Sequence, residues 1–189
     1  MARYSNEKVL ISRKKILDSA SKLFRGKGYE GTGINEIMAA ANLTKGTFYS
    51  HFRSKRDLLN HVILYAIDKR KGLLKGSNEY EQAVNLINGY LSLEHLKSLE
   101  TWCLMPRLSG DLRDHRSFNS KCVDRYVKEF SFVFEKVVSK EDASFLSSTL
   151  VGGLIMARTL KIKEASSFIE NVRNKCLKYL EERCYRKKN

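Results

Sequence analysis

The stretch that decides the fold of this chain spans residues 28–55 and reads GYEGTGINEIMAAANLTKGTFYSHFRSK. Apolar residues in its first half recur at the spacing of one helical face, which predicts a short helix. These residues are Ile34, Ile37, Met38 and Ala41. Asn42 tolerates the left-handed backbone conformation that often ends a helix, and Thr44 is a good N-cap for a following helix. Two helices joined by so short a turn are typical of a helix-turn-helix.

The second helix of the motif is predicted from Lys45 to Phe52. Phe48 and Phe52 lie four residues apart, so both are expected to be buried on one face. The other face then carries polar and aromatic side chains that remain free, namely Lys45, Thr47, Tyr49 and His51. A short helix with such an outer face fits the major groove of DNA, where side chains can contact base edges.

The basic residues are concentrated in the same part of the chain. Of the 189 residues, which carry a formal net charge of +14, residues 1–72 hold 15 Lys and Arg against 6 Asp and Glu. This excess predicts an anionic partner, with nucleic acid as the leading candidate and an anionic membrane surface as the second. One proline and few segments of alternating polarity predict an almost entirely helical protein.

Several other classes of protein are disfavoured. The longest apolar stretch, residues 150–157, is far below the roughly 18 residues of a membrane span, and we expect a cytoplasmic protein without a signal peptide. The four cysteines form no Cys-x-x-Cys pair and the four histidines have no zinc spacing, so we expect reduced thiols and neither metal nor cofactor. An enzyme is disfavoured because there is no Ser-His-Asp order, phosphate loop or dinucleotide-binding glycine pattern.

The residues of the central stretch resemble those of the TetR family of transcriptional regulators. The matching positions are Gly28-Tyr29, Thr32, Ile37, Ala41, Thr44-Lys45-Gly46-Thr47-Phe48-Tyr49, His51-Phe52 and Ser54-Lys55. The departures are Gly33, where the family usually has Ser or Thr, and Asn42 in place of the usual turn glycine. The resemblance covers about the first third of the chain. It implies a homodimeric repressor that a small-molecule effector releases from a palindromic operator in double-stranded DNA, and disfavours a non-specific nucleic-acid packaging protein.

The resemblance also implies which residues contact DNA. Thr32, Tyr49 and Lys55 are expected to contact phosphates. Lys45, Thr47 and His51 are expected to reach base edges; the alternative for His51 is to cap or pack against its neighbours. Thr44 begins the recognition helix, and Gly46 lets its backbone come close to the DNA.

Helical periodicity and the resemblance together predict an all-α fold of about nine helices in two domains. The DNA-binding domain is expected at residues 7–54, with a first helix at 7–28. A linking helix follows at 55–74 with an apolar inner face of Leu58, Leu59, Val62, Ile63, Ala66 and Ile67. A regulatory and dimerisation domain is expected at residues 75–189. Its later helices are predicted near residues 101–112, 118–138, 141–160 and 163–183.

One stripe in the second domain has two interpretations. Phe118, Cys122, Tyr126, Phe130 and Phe134 recur every four residues, and such an aromatic stripe is by default plain core. The resemblance implies an effector cavity in this domain, which part of the stripe would line together with Trp102 and Met105. Cys103 is either a small buried residue or a sensor of oxidants or electrophiles.

The last two helices are the predicted dimer interface. Gly152 and Gly153 each cost about 1 kcal/mol in a helix relative to alanine, and close approach of another helix would offset this cost. The resemblance implies that these helices pack against those of a partner subunit, with ligand contact as the lesser alternative for the glycines. The candidate interface residues are Gly152, Gly153, Phe168, Val172, Cys176 and Tyr179.

Overall fold

The structure is a computed structural model that describes residues 2–98, 104, 108, 110 and 120–187. All regular structure in this part of the chain is helical, which confirms the predicted all-α fold. The helices are α1 (Ala2–Lys27), α2 (Ile34–Ala40), α3 (Lys45–Tyr49), α4 (Lys55–Leu73), α5 (Glu79–Tyr90), α6 (Leu93–Lys97), α7 (Ser120–Glu135), α8 (Lys140–Thr159) and α9 (Ile162–Lys187). Helix α6 was not predicted, and most of the helix predicted at residues 101–112 lies outside the described residues.

The chain divides into two compact units. The first comprises Met1–Asp68 with Cys103–Val123, and the second comprises Lys69–Trp102 with Asp124–Asn189. Helix α4 is continuous from Lys55 to Leu73 and therefore contributes residues to both units. The DNA-binding motif lies entirely in the first unit.

In the first unit, α1 begins several residues earlier than predicted. Its buried face contains Ile16, Ala20 and Phe24, which recur at helical spacing. The helix ends because Gly28 adopts a φ of 81° and donates its N–H to the Phe24 carbonyl at 3.0 Å. Glycine adopts this left-handed conformation without steric cost, whereas Gly26 remains inside the helix.

Helix α4 matches its prediction closely. Ser54 caps it by accepting the Asp57 N–H at 3.1 Å, and the Asp57 carboxylate accepts the Arg53 N–H at 2.9 Å. All six residues predicted for its inner face are buried: Leu58, Leu59, Val62, Ile63, Ala66 and Ile67. Replacing any one of the fully buried leucines by alanine would cost about 2–5 kcal/mol of stability.

In the second unit, α8 and α9 are joined by a two-residue link and pack together as neighbours. Helix α8 begins one residue before its predicted start, where Ser139 accepts the Asp142 N–H at 3.1 Å. Helix α9 extends beyond its predicted end to Lys187. Helix α7 ends at Glu135 rather than near Val138.

The two glycines of α8 have different environments. A Cβ atom on Gly153 would lie 3.2 Å from Val172 Cγ1 and 3.7 Å from Leu91 Cδ2, so this glycine permits close packing within its own subunit. A Cβ atom on Gly152 would meet nothing within 4 Å. The space beside Gly153 is thus filled by α9 and Leu91 of the same chain, which by itself explains a glycine here, and its place in the dimer interface stays a prediction.

Candidate functional site

The turn between α2 and α3 has the backbone that the sequence predicted. Asn42 adopts a φ of 54°, and the Leu43 N–H bonds to the Met38 carbonyl at 3.0 Å. Thr44 is extended, with φ −79° and ψ 153°, and stands at the N-cap of α3. Its side chain makes no capping hydrogen bond; instead its hydroxyl lies 3.0 Å from the Thr47 hydroxyl. The position of the cap was predicted correctly, but the capping bond is absent.

Two aromatic side chains fix the orientation of α3. Phe48 is fully buried and Phe52 nearly so, with ring centroids 5.8 Å apart. The helix ends at Tyr49 rather than at Phe52, yet the Phe52 N–H still bonds to the Phe48 carbonyl at 2.9 Å and keeps the ring under the helix. Because the face of α3 that carries these two rings is buried, the opposite face of the helix points outward.

The outward face of α3 is a small surface of mixed polar and aromatic groups. Lys45 and Gly46 are exposed, Thr47 is half-buried, and Tyr49 is 59% exposed with its ring edge-on to Phe48 at 5.2 Å. A cation, hydroxyls and a phenol at the surface of a short helix are groups that can contact phosphates and base edges.

His51 does not project freely from this surface. Its Nε2 lies 2.8 Å from Ser12 Oγ, and because that hydroxyl donates to the Val9 carbonyl, His51 Nε2–H is the donor to Ser12. Arg13 donates from Nη1 to the His51 carbonyl at 3.0 Å, and its guanidinium stacks 4.5 Å from the Phe52 ring centroid. His51 thus packs against α1, the second of the two outcomes that the sequence left open.

Neither Ser12 nor Arg13 was predicted from the sequence to contact the helix-turn-helix. Their partners lie 39 and 38 residues away along the chain, and no local pattern marks such a contact. Both side chains position the segment that follows the recognition helix. They join α1 to the DNA-binding surface.

Lys55 holds the turn between α1 and α2. Its Nζ donates to the Tyr29 carbonyl at 3.0 Å and to the Thr32 carbonyl at 3.2 Å, and it lies 4.2 Å from the centroid of the Tyr29 ring. Burial, followed by the charge of Glu30, raises the pKa of Tyr29. The Lys55 ammonium group, which was predicted to contact phosphate, therefore already makes hydrogen bonds within the first unit.

Thr32 is fully buried, and its hydroxyl donates to the Gly28 carbonyl at 2.7 Å. The side chain stabilises the same turn that Lys55 clamps. Because no part of Thr32 is exposed, this geometry gives no support to the predicted contact between its side chain and phosphate.

The two histidines near Arg13 make stability depend on pH. Burial and then the positive charge of Arg13 lower the pKa of His51 and of His61, while Asp57 opposes this at His61. The unfolded chain therefore binds more protons between about pH 6.5 and the lowered pKa values, so acidification through this window destabilises the fold. We expect the free energy of unfolding, measured with urea, to fall between about pH 7.5 and pH 5.

In the double variant His51→Gln, His61→Gln the free energy of unfolding should fall less between about pH 7.5 and pH 5 than it does in the parent. If the stability of parent and variant depended equally on pH, the two histidines would not be the cause of the acid destabilisation.

A second surface lies between α8 and α9. It is an open, largely apolar groove with a volume of about 420 Å³. Its walls contain Phe145, Thr149, Phe168, Asn171, Val172, Lys175, Cys176 and Tyr179. Four of these residues, Phe168, Val172, Cys176 and Tyr179, belong to the predicted dimer interface. The structure thus brings four of the six predicted interface residues together around one groove.

The α8 wall of the groove continues as an exposed apolar stripe. Phe145, which is 49% exposed, and Thr149 lie in register with Gly152 and the exposed Met156 on one face of the helix. Phe145 also packs against Tyr179, with ring centroids 4.7 Å apart. Phe145 and Met156 were not named from the sequence, because an apolar side chain in an amphipathic helix is expected to face the core.

Two side chains of the groove have altered acidity. The Tyr179 hydroxyl donates to Asp142 Oδ1 at 2.6 Å, and this hydrogen bond raises the pKa of the phenol. Burial raises the pKa of the Cys176 thiol to about 11, so it is protonated and weakly nucleophilic near neutral pH. Cys176 therefore acts as a small apolar residue.

The residues predicted to line an effector cavity are only partly described. Trp102, Met105 and Phe118 lie outside the described residues, as does Cys103. Cys122 is half-buried, while Tyr126 and Phe130 are almost fully buried. None of these three described residues lines the α8–α9 groove. The effector cavity remains a prediction.

Over the described part of the chain, no group of three or more His, Cys, Asp or Glu side chains could hold a metal ion. In the same residues, no helix combines the length and the apolar character needed to cross a bilayer.

Comparison with known proteins gives a family from the sequence and a shared fold from the structure. Residues 16–62 match the model of the bacterial regulatory proteins of the tetR family. The HTH-type transcriptional regulator LmrA of Bacillus subtilis (strain 168) is 25% identical over 169 residues, which cover 79% of this chain and 88% of LmrA.

Among solved structures, a TetR transcriptional regulator from Chloroflexus aurantiacus J-10-FL superposes with a TM-score of 0.71 and 21% identity over 94% of this chain and 98% of that one. The structure of AibR in complex with isovaleryl coenzyme A and operator DNA gives a TM-score of 0.58 and 17% identity, over 88% of this chain and 98% of the AibR chain. Both share the fold with this chain. With an exposed α3 in a helix-turn-helix and a family model matched across α1 to α4, the chain belongs to the TetR family of DNA-binding transcriptional regulators.

Proposed function

We propose that this regulator is a homodimeric repressor, acting in the cytoplasm, that binds a palindromic operator and leaves it when a small-molecule effector binds. It acts by binding and not as an enzyme. The observation that carries the proposal is the exposed outer face of α3, held outward by the buried rings of Phe48 and Phe52. The domains of this proposal are residues 7–54 for DNA binding, 55–74 as linking helix and 75–189 for regulation and dimerisation.

The exposed side chains of α3 and its N-cap make the DNA contacts. Lys45 and Thr47 reach base edges, with Thr44 beside Thr47, and Tyr49 contacts phosphate. Gly46 lets the backbone of α3 approach the groove, since a Cβ atom there would meet only Thr44 Oγ1, at 4.0 Å, in the free protein. Lys55 and His51 act differently: Lys55 positions the turn before α2, and His51 positions the segment after α3.

The proposed dimer forms through the α8–α9 groove. A two-fold interface places the same surface of both subunits face to face, so an apolar groove bordered by an exposed stripe can bury itself against its own copy. Such pairing presents two recognition helices, which must lie about 34–36 Å apart to enter successive major grooves of one operator.

The proposed effector response is supported by fold similarity. AibR, whose structure contains isovaleryl coenzyme A and operator DNA, shares this fold and carries both kinds of ligand on it. An effector that prefers the DNA-free conformation must weaken DNA binding by the same factor by which DNA weakens effector binding.

Footprinting on the DNA upstream of the chain's own gene tests the DNA-binding part of the proposal. We expect one discrete palindromic site, with log affinity falling linearly as log salt concentration rises. The variant Thr47→Ala should bind the same site with relaxed preference at particular base pairs. Uniform protection of the whole fragment would instead indicate a non-specific nucleic-acid binder.

A further inference from the structure

Arg70, near the end of α4, lies against two aromatic rings of the second unit. Its guanidinium carbon is 4.7 Å from the centroid of the Tyr126 ring and 4.8 Å from that of Phe130. The two rings lie four residues apart on α7 and are almost fully buried. They cover one face of the planar guanidinium, an arrangement that arginine adopts more readily than lysine.

The cation has no anionic partner among the described residues. Its Nη2 is enclosed without access to solvent and makes no hydrogen bond. Arg70 takes no part in the ion pairs of Lys27, Arg125, Lys136, Lys178 and Arg183. An enclosed charged donor is normally paired, because leaving it without a hydrogen bond costs free energy.

The rings under Arg70 belong to a larger aromatic cluster in the same unit. Phe130 lies 5.3 Å from the Tyr90 ring, and Tyr90 lies 4.7 Å from the ring of His95. His95 Nδ1 donates to the Tyr90 carbonyl at 2.7 Å, which orients the imidazole. A cation over two aromatic rings, one of which continues into a cluster with Tyr90 and His95, combines a polar anchor with apolar walls, the composition of small-molecule sites.

We infer that Arg70 is the anion anchor of the effector site and that it takes the carboxylate of an organic acid with an apolar or aromatic body. The inference rests on the proposed effector response and names the ligand class of that site. A guanidinium presents paired N–H donors that match a carboxylate, so the acid satisfies the enclosed nitrogen. The rings of Tyr126 and Phe130 contact the body of the acid.

The position of Arg70 connects this site to the DNA-binding motif along one helix. Arg70 and Lys55 belong to α4 and are 15 residues apart, a rise of about 22 Å along a continuous helix. Lys55 clamps the turn before α2. An acid that draws Arg70 from its aromatic rings moves the helix whose first residue holds that turn.

Paired probes that differ only in charge test the inference on the full-length protein. Benzoate is compared with benzamide, and octanoate with octanamide, by the shift of the thermal unfolding midpoint and by calorimetric titration, both without DNA. We expect both carboxylates to raise the midpoint and both amides to leave it unchanged. The variant Arg70→Met should bind benzoate and octanoate at least about tenfold more weakly.

Lys128→Met is the matched control, since it removes one exposed cation from the same helix as Tyr126 and should retain full binding. If Arg70→Met does not fold, Arg70→Lys keeps the charge without the planar fork and should also weaken binding. The inference is overturned if neither carboxylate raises the unfolding midpoint of the parent protein, or if the amides bind as tightly as the carboxylates. It is also overturned if the Arg70 variants bind benzoate and octanoate as tightly as the parent does. Tighter binding of phenyl phosphate than of benzoate would overturn the carboxylate assignment.

Operator release is measured separately, by fluorescence anisotropy of labelled operator with and without octanoate. If carboxylates bind through Arg70 but leave the operator bound, the Arg70 site stands and the proposed effector control fails. If release occurs with a ligand that Arg70→Met still binds, the effector control stands and the role of Arg70 is wrong.

Discussion

Replacing Phe145 by aspartate is expected to give monomers in solution and to abolish tight operator binding. Phe145 is 49% exposed on the wall of the α8–α9 groove, so its replacement leaves no cavity in the core of the subunit. In a two-fold dimer it would place an uncompensated carboxylate from each subunit in an apolar interface. Because two linked half-site contacts gain about 10²–10⁴ in affinity over one, operator affinity should fall by at least about 100-fold.

Light scattering measures the mass of the Phe145→Asp variant in solution, and fluorescence anisotropy measures its affinity for operator DNA. The control is Phe132→Asp, the same substitution at a phenylalanine of α7 that is 53% exposed and outside the groove. It should remain dimeric and bind operator like the parent. A Phe145→Asp protein that stays dimeric, or a parent that is monomeric at micromolar concentration, would show that the groove is not the interface.

Replacing Lys55 by methionine is expected to lower both stability and operator affinity while leaving the salt dependence of DNA binding unchanged. The ammonium group donates to the carbonyls of Tyr29 and Thr32, and these bonds hold the turn before α2. Their loss from a half-buried site should lower the free energy of unfolding by about 2 kcal/mol. The recognition helix then has a less defined position, so affinity falls without loss of a phosphate contact.

The salt slope separates this role from direct phosphate binding. A lysine that neutralises one phosphate contributes about 0.9 to the slope of log affinity against log salt. Lys45→Met, at an exposed position of α3, is the comparison and should leave stability unchanged. A Lys55→Met dimer of parental stability whose slope decreases in magnitude by about 1.8, one phosphate for each subunit, would restore the phosphate assignment that the sequence suggested.

The local features of the DNA-binding motif could be predicted from the sequence because neighbouring residues determine them. The left-handed Asn42, the N-cap position of Thr44 and the burial of Phe48 and Phe52 all follow from residue type and spacing within one or two turns. The same holds for the inner face of α4. Four of the predicted interface residues, all on the last helix, also lie around one groove, whereas the α8 residues of that groove were not predicted.

The partners of individual side chains were decided only by the tertiary structure. Lys55 reaches carbonyls 23 and 26 residues away, and His51 meets Ser12 across 39 residues, so no periodic pattern contains these contacts. Likewise, the sequence treated Gly152 and Gly153 alike, but only the tertiary structure showed that Gly153 packs against α9 of its own chain while Gly152 has open space. The sequence of this protein determined where its helices lie and which faces they bury, because both depend on local spacing. Which side chains remain free to bind DNA, effector or partner depended on long-range packing.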